Sequence, residues 1–104
     1  MAFIQILEYQ TSRVEEVAAE ATEFRKQMAN SESTAKPLRG TITADRDRPG
    51  YYLSIIEFDS YESAMEASSR PETQEFFGRL SALMEGPPKF YNLDVVNTWE
   101  IERP

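Results

Sequence analysis

The chain has 104 residues, the length of one domain that can bury a core without disulfides or metals. It contains no cysteine and no histidine, which excludes disulfides, thiolate or imidazole metal sites, and cysteine or histidine catalysis. Its net charge of −7 argues against nucleic acids and anionic membranes as partners, since both are bound through clustered lysine and arginine.

No stretch of the sequence predicts a targeting or membrane segment. Residues 1–5 lack the basic segment and apolar run of a secretory signal, and no stretch approaches the ~18 consecutive apolar residues of a membrane helix. We therefore expect a cytoplasmic protein that binds neither nucleic acid nor membrane, folded as a single domain over residues 1–104.

The first half of the chain predicts a strand, a helix and a second strand. Residues 2–10 form the first strand, and Ser12 with Glu15 three residues later matches a capping box before a helix with one apolar stripe. The second strand, from about residue 38 to 44, contains Gly40. A glycine inside a strand indicates a bulge or the close approach of another segment.

The second half predicts a strand, a broken helix and a last strand. Residues 51–58 form an apolar strand, and Asp59 followed by Glu62 predicts an acidic N-cap for the next helix. Pro71 breaks this helix and begins another. Alternating side chains over residues 90–101 predict a long last strand.

The two strand-to-helix units repeat each other. Residues 4–11 (IQILEYQT) match residues 53–60 (LSIIEFDS) at a constant offset of 49 positions. Two such units side by side predict an α+β fold, namely a ferredoxin-like βαββαβ arrangement with a four-stranded antiparallel sheet and helices on one face. Pairing of the repeats about Ile6 and Ile55 would assign every side chain of the two strands to one face or the other.

Both faces of the predicted sheet are apolar. Leu7 and Ile56 lie on one face, and the other carries four aliphatic side chains: Ile4, Ile6, Leu53 and Ile55. One layer of helices covers only one face, so burying both requires a second layer. We therefore expect a homodimer in which two sheets pack face to face, with the long last strand reaching the partner.

The element order and the run at positions 52–80, YLSIIEFDSYESAMEASSRPETQEFFGRL, resemble the dimeric α+β barrel proteins of the antibiotic biosynthesis monooxygenase type. The resemblance covers nearly the whole chain and implies a dimeric α+β barrel. Activities in this superfamily include cofactor-independent oxygenation of aromatic or quinol-type substrates, haem degradation and isomerisation. Its haem-degrading branch uses asparagine, tryptophan and histidine at positions that align with Gln5, Phe58 and Ser68. None of the three is kept, and without an imidazole no ligand for haem iron is evident, so we expect no haem. The cofactor-independent activity that the resemblance implies requires no other cofactor, and we expect none.

The helix-facing side of the sheet is where the sequence predicts a ligand. Strand parity assigns Tyr9 to this side together with Gln5, Tyr52, Ser54 and Phe58, and polar tips between aromatic and aliphatic walls are typical of a small-molecule pocket. We expect a small aromatic molecule to contact five residues: Gln5, Tyr52, Ser54, Phe58 and Ser68. The alternative is that Gln5 and Ser54 bond each other across neighbouring strands and no pocket exists.

Three functions stay open on the sequence alone. A cofactor-independent oxygenase needs an aromatic substrate that reacts with O₂, and donors such as Gln5 and Tyr52 for the developing oxyanion. The sequence offers no evident general base or metal site, so catalytic residues are unassigned and enzymatic activity is left open. The alternatives are a non-catalytic binder of a hydrophobic small molecule and a structural dimeric module with a closed pocket.

Overall fold

Four strands and three helices make up the computed structural model, which describes residues 2–30 and 36–103. Their order is β1 (Phe3–Gln10), α1 (Val14–Ala29), β2 (Arg39–Ala44), β3 (Tyr51–Phe58), α2 (Tyr61–Ser69), α3 (Pro71–Ala82) and β4 (Lys89–Asp94). Within those residues, no helix is both long enough and apolar enough to cross a bilayer.

The strands form one antiparallel sheet in the order β2-β3-β1-β4. The two repeats lie side by side as β1 and β3, and Ile6 faces Ile55 across them. The predicted βαββαβ ferredoxin-like fold and the predicted pairing of the repeats are therefore confirmed. Because side chains alternate along a strand, this register also fixes which residues share a face.

All three helices pack on one face of the sheet, which we call the helix side; the other face is the open side. Phe3, Leu7 and Tyr9 point to the helix side of β1 and are buried, whereas Ile4 and Ile6 on the open side are only half-buried. The remaining buried apolar residues come from the end of β3 and the helices: Val17, Met28, Phe58, Ala64, Ala67 and Leu80. The core of the single chain therefore lies entirely on the helix side.

Both predicted helix caps are wrong by one residue. Ser60, and not Asp59, is the N-cap of α2, since its hydroxyl accepts the backbone N–H of Ser63. At the start of α1 the N-cap is Arg13, which makes no side-chain cap bond, and the expected capping box at Ser12 does not form. The helix breaks where expected, because Pro71 occupies the first turn of α3, where its missing N–H is not needed.

Gly40 lies in an unbroken ladder and faces Ile56, so the predicted bulge or close approach is wrong. A Cβ atom built at Gly40 would meet no other atom within 4 Å, and its backbone is not in the left-handed region. The glycine is therefore required neither by the backbone conformation nor by a crowding neighbour.

The last strand is shorter than predicted, because its ladder ends at Asp94 and not at residue 101. Among the described residues its neighbour is β1 alone, and a single further bond, from Val95 N–H to the carbonyl of Ala2, extends the pairing. Beyond that point no strand within residues 2–30 and 36–103 is available as a partner. Val96, Trp99 and Ile101 are consequently exposed, with 95%, 72% and 73% of their surface accessible.

Candidate functional site

The predicted site residues of β1 and β3 do share the helix side. Across neighbouring strands three rows can be followed on this side, namely Gln5-Ile56-Gly40, Leu7-Ser54-Ile42 and Tyr9-Tyr52-Ala44. Phe58 occupies the same side at the end of β3, where it faces Phe3. Strand parity therefore predicted the face correctly, and no register error intervened.

The polar centre of the helix side is a pair of hydroxyl groups. Tyr9 Oη and Ser54 Oγ lie 2.8 Å apart, and either can donate the hydrogen bond. Tyr9 is only 3% exposed and packs among Leu7, Val17 and Leu80. Burial raises the pKa of the Tyr9 phenol above its ordinary value, and this outweighs the opposite effect of the Ser54 hydrogen bond. The phenol therefore stays protonated at neutral pH, so it is able to donate a hydrogen bond and is not available as a base.

Two aromatic rings form one wall beside this hydroxyl pair. The ring of Tyr52 stacks on that of Tyr9, with centroids 6.2 Å apart and planes inclined by 26°. Tyr52 is half-buried and also packs against the cluster around Leu7. Offset stacks of this kind favour further flat rings alongside them, because their apolar faces offer large contact areas.

Gln5 lies on the other side of Ile56 from Gly40 and bonds to β4. Its Nε2 donates to Asn92 Oδ1 over 3.2 Å. Ser54 bonds to Tyr9, so the alternative in which Gln5 and Ser54 bond each other is not what the structure shows. Gln5 keeps one amide oxygen and Asn92 one amide N–H₂ beyond the shared bond, which leaves this pair capable of binding a polar group.

Phe58 and Ser68 are held by the packing of α2. Phe58 is 4% exposed and belongs to a cluster with Phe3, Ala64 and Ala67. Ser68 Oγ donates to the carbonyl of Ala64 over 2.8 Å, one turn back in its own helix. Phe58 thus serves as part of the core in this structure, and the hydroxyl hydrogen of Ser68 is already used.

The chemistry available in the three rows of the helix side is that of neutral hydrogen-bond donors and aromatic walls; Asp94 of β4, which faces Phe3, lies on the same side outside these rows. The side chains of the three rows include phenols, a hydroxyl and an amide but no carboxylate, ammonium or guanidinium group. In the parts of the chain that the structure describes, no group of three or more acidic side chains is placed to hold a metal ion.

A cleft of about 180 Å³ lies at the end of β1, beside the loop between α3 and β4, and Tyr9 of the hydroxyl pair is among its lining residues. Glu8, Glu85 and Lys89 line it together with Tyr51, and none of the five predicted site residues does. Glu8 is already engaged, since Arg48 Nη1 approaches its carboxylate to 3.5 Å and Tyr91 Oη donates to it over 3.1 Å. These contacts tie the turn before β3 to β1 and β4.

Tyr9 and Gly40 were absent from the predicted ligand contacts. Tyr9 carries the phenol that bonds to Ser54, and its helix-side position followed from parity alone. Gly40 leaves open space on the helix side next to Ile56. A glycine in a strand that needs neither a bulge nor a positive φ was the available signal, but only the structure excludes those two needs.

Comparison with known proteins relates this chain to others through its fold. No protein-family model and no curated protein matches the sequence. Among solved structures, SnoaB from Streptomyces nogalater, a cofactor-independent oxygenase, superposes with a TM-score of 0.74 at 14% identity, over 93% of this chain and 95% of that one. The chain has the antibiotic biosynthesis monooxygenase-like fold.

Other structures of this fold agree equally well. A protein from Caulobacter crescentus, provisionally named an antibiotic biosynthesis monooxygenase, gives a TM-score of 0.74 at 14% identity, covering 92% of this chain and 91% of that one. A conserved protein from Methanosarcina mazei gives 0.73 at 13% identity, over 89% and 91% of the two chains. The resemblance inferred from the sequence is thus confirmed at the level of the antibiotic biosynthesis monooxygenase-like fold.

Proposed function

We propose that the protein is a cofactor-independent monooxygenase for a small aromatic or quinol-type substrate bound on the helix side of its sheet. The observation that carries the proposal is the Tyr9-Ser54 hydroxyl pair beside the Tyr52 ring, inside a fold shared over nearly its whole length with a cofactor-independent oxygenase. Neutral donors next to flat apolar walls suit an aromatic substrate whose oxygen gains negative charge during the reaction.

The substrate itself supplies the electrons in such a reaction. A methylene or ring carbon activated by neighbouring aromatic rings loses a proton to solvent, and the carbanion reacts with O₂; one oxygen atom becomes a carbonyl of the product, and the other leaves as water, which takes up that proton and the second hydrogen lost from the substrate. The protein orients the ring and stabilises the developing oxyanion, a contribution of about 10²–10³ in rate for one well-placed donor. Of the five residues predicted from the sequence we assign binding to Gln5, Tyr52 and Ser54, because Phe58 is part of the core and the Ser68 hydroxyl hydrogen is used within α2.

Oxygen uptake tests the proposal. We expect chelator-treated protein to consume one O₂ for each molecule of substrate in a panel of anthrone, 1-naphthol and 1,4-naphthohydroquinone. Ser54→Ala should lower the rate at least tenfold, because a donor to the substrate oxygen is lost. Ser81→Ala, an exposed serine on α3, is the matched control and should keep the full rate. Uptake no faster than with heat-inactivated protein would refute the proposal.

A second candidate is a non-catalytic binder of the same class of molecule. It is favoured by the absence of an ionisable base from the three helix-side rows, where the raised pKa of Tyr9 keeps its phenol protonated. Such a binder would raise its Tm with 1-naphthol and consume no O₂. A structural module would show neither effect.

The assembly we propose is a homodimer formed through the open side. Leu53 and Ile55 in β3 are half-buried on this side of the isolated chain, next to Ile4 and Ile6, and Leu93 in β4 is 42% exposed. Covering these aliphatic side chains would remove them from water, and a second copy offers a matching surface. Light scattering should then give twice the chain mass of 12.0 kDa.

We also propose that the protein is cytoplasmic, as predicted from the sequence. Fractionation of cells that express a tagged protein tests it, and recovery in the membrane or secreted fraction would contradict it.

A further inference from the structure

An open space lies on the helix side of the edge strand β2, directly above Gly40. A Cβ atom at this position would meet nothing within 4 Å, and the ladder on both sides of Gly40 is regular. Glycine weakens a strand through its backbone entropy and its missing side chain. A strand glycine without a conformational role therefore indicates a position where the missing side chain leaves space for a ligand.

The walls of this space are apolar and partly accessible. Ile56 faces Gly40 across the ladder and packs against both buried clusters, while Ile42, two residues along β2, is 36% exposed. Gly40 and Ala44 are exposed as well. The helices therefore cover β1 and the end of β3 but leave the helix side of β2 open to solvent.

Ser54 is the residue through which this space meets the buried hydroxyl pair. It faces the exposed Ile42 on one side and the buried Leu7 on the other, so it lies at the border of the helix cover. When Tyr9 donates to Ser54 Oγ, the Ser54 hydroxyl hydrogen is free to donate to a further acceptor. In that arrangement the buried phenol leaves the Ser54 O–H available to a ligand lying over β2.

The side chains around the space set the charge of a ligand. The six helix-side positions at which β2 and β3 pair are Gly40, Ile42, Ala44, Tyr52, Ser54 and Ile56, and all are uncharged. A carboxylate or phosphate placed there would lose its water without gaining a cation. A flat, neutral ring that carries one hydrogen-bonding oxygen would fill the room above Gly40 and satisfy Ser54.

We propose that this space is the ring-binding part of the site, with Ser54 as the direct anchor of a neutral aromatic phenol, quinol or ketone and Tyr9 as a positioning residue that acts through Ser54. The inference rests on the proposed function, since it names the substrate class and the entrance of the same site. It places the ligand over β2 and β3, beside Gly40, and not against the buried Phe58 or the bonded Ser68.

Filling the space is the first test. Gly40→Val adds a side chain where a Cβ has no neighbour, so the variant should fold at least as well as the native chain. We expect it to weaken binding of 1-naphthol about tenfold or more by calorimetry, because the added methyl groups would occupy the ring's position. Thr41→Val, on the open side of the same strand, is the matched control and should bind normally.

Removing the anchor is the second test. Ser54→Ala should weaken 1-naphthol about tenfold and leave the weaker binding of naphthalene unchanged, because only the oxygenated ligand uses the hydroxyl. Tyr9→Phe should cost less, and the double variant should cost no more than Ser54→Ala alone, as expected when Tyr9 acts through Ser54. Tyr51→Phe, on the open side, controls for loss of a phenol. The anion 1-naphthoate should bind at least about tenfold more weakly than 1-naphthol.

Each outcome decides between the two proposals. If Gly40→Val binds 1-naphthol like the native protein, or if Ser54→Ala weakens naphthalene as much as 1-naphthol, the inference is wrong even when O₂ is consumed. If the variants behave as expected and no O₂ is consumed with any substrate, the ring site stands and the oxygenase proposal fails. Absence of 1-naphthol binding at millimolar concentration would overturn the inference directly.

Discussion

Thr11 joins four parts of the chain at one buried point. Its backbone N–H donates to the carbonyl of Gly50 in the turn before β3, and its hydroxyl donates to the carbonyl of Leu83 at the end of α3. The same hydroxyl accepts the N–H of Arg13, where α1 begins. Thr11 is 1% exposed, so water cannot replace these bonds. It therefore fixes the end of β1 that carries Tyr9.

Thr11→Val should destabilise the fold without changing its shape. Valine has nearly the same volume, but it leaves the Leu83 carbonyl and the Arg13 N–H without their partner, which costs about 1–3 kcal/mol. For a domain of this size that corresponds to a Tm lower by about 4–8 °C for each kcal/mol. Thr11→Ser keeps the hydroxyl and should lose less. The expectation fails if urea unfolding finds the valine variant as stable as the serine variant.

The contacts made by single residues were the least predictable feature of the structure. Thr11 ends the first repeat, and its bonds reach Leu83 and Gly50, which are far away in sequence and whose positions only the folded chain defines. The sequence shows Gly40 inside a strand, but a bulge, a close approach and an open space are all consistent with a glycine there. The helix-side positions of Gln5, Tyr52 and Ser54 were predictable, because parity needs only the register of β1 against β3.

Among the elements, the start of α2 shows that two adjacent residues can both match the pattern of an N-cap. Asp59 and Ser60 are both good N-cap residues, and the sequence favoured the first because Glu62 follows it by three positions. In the structure Ser60 is extended and bonds to Ser63, while Asp59 is exposed. Which of the two residues caps α2 depends on where β3 ends, and the end of β3 is set by its pairing with β1.

Ser60→Ala and Asp59→Ala should therefore differ in stability. Loss of the Ser60 cap is expected to cost about 0.5–2 kcal/mol, because the Ser63 N–H loses its acceptor. Asp59→Ala should change the free energy of unfolding by about 0.5 kcal/mol or less, as for an exposed residue without a specific bond. Denaturant unfolding in high salt, which screens the interaction of Asp59 with the helix dipole, compares the two. A larger loss for Asp59→Ala would restore it as the cap.

The end of β4 shows that an alternating pattern predicts a strand only where a partner exists. Residues 95–101 alternate as well as those before them, but β4 is an edge strand, and among the described residues its pairing with β1 ends at the bond from Val95 N–H to the Ala2 carbonyl. The exposed Trp99 and Ile101 are therefore apolar residues that a single chain leaves uncovered. The alternating pattern of residues 95–101 would correspond to a strand if a second chain supplied the missing neighbour.

For the whole molecule, the internal repeat made the sheet predictable. Matching residues 4–11 with 53–60 implied the antiparallel contact of β1 and β3, and the remaining strands follow from the order of elements. The room within the site was not predictable in the same way, because volume depends on where the helices stop covering the sheet. The apolar open side was predictable, and within one chain it stays without a second layer.

A charge introduced on the open side tests the proposed face-to-face dimer. Ile55→Lys places an ammonium group at the centre of that side, facing Ile6, where a face-to-face partner would bury it at a cost of several kcal/mol. We expect light scattering to show a monomer at micromolar concentration, whereas the native protein has twice the chain mass. Ile42→Lys is the matched control, since it makes the same change on the helix side, and it should remain dimeric. A monomeric native protein would exclude the dimer, and dissociation by Ile42→Lys alone would show that the chains associate through the opposite face.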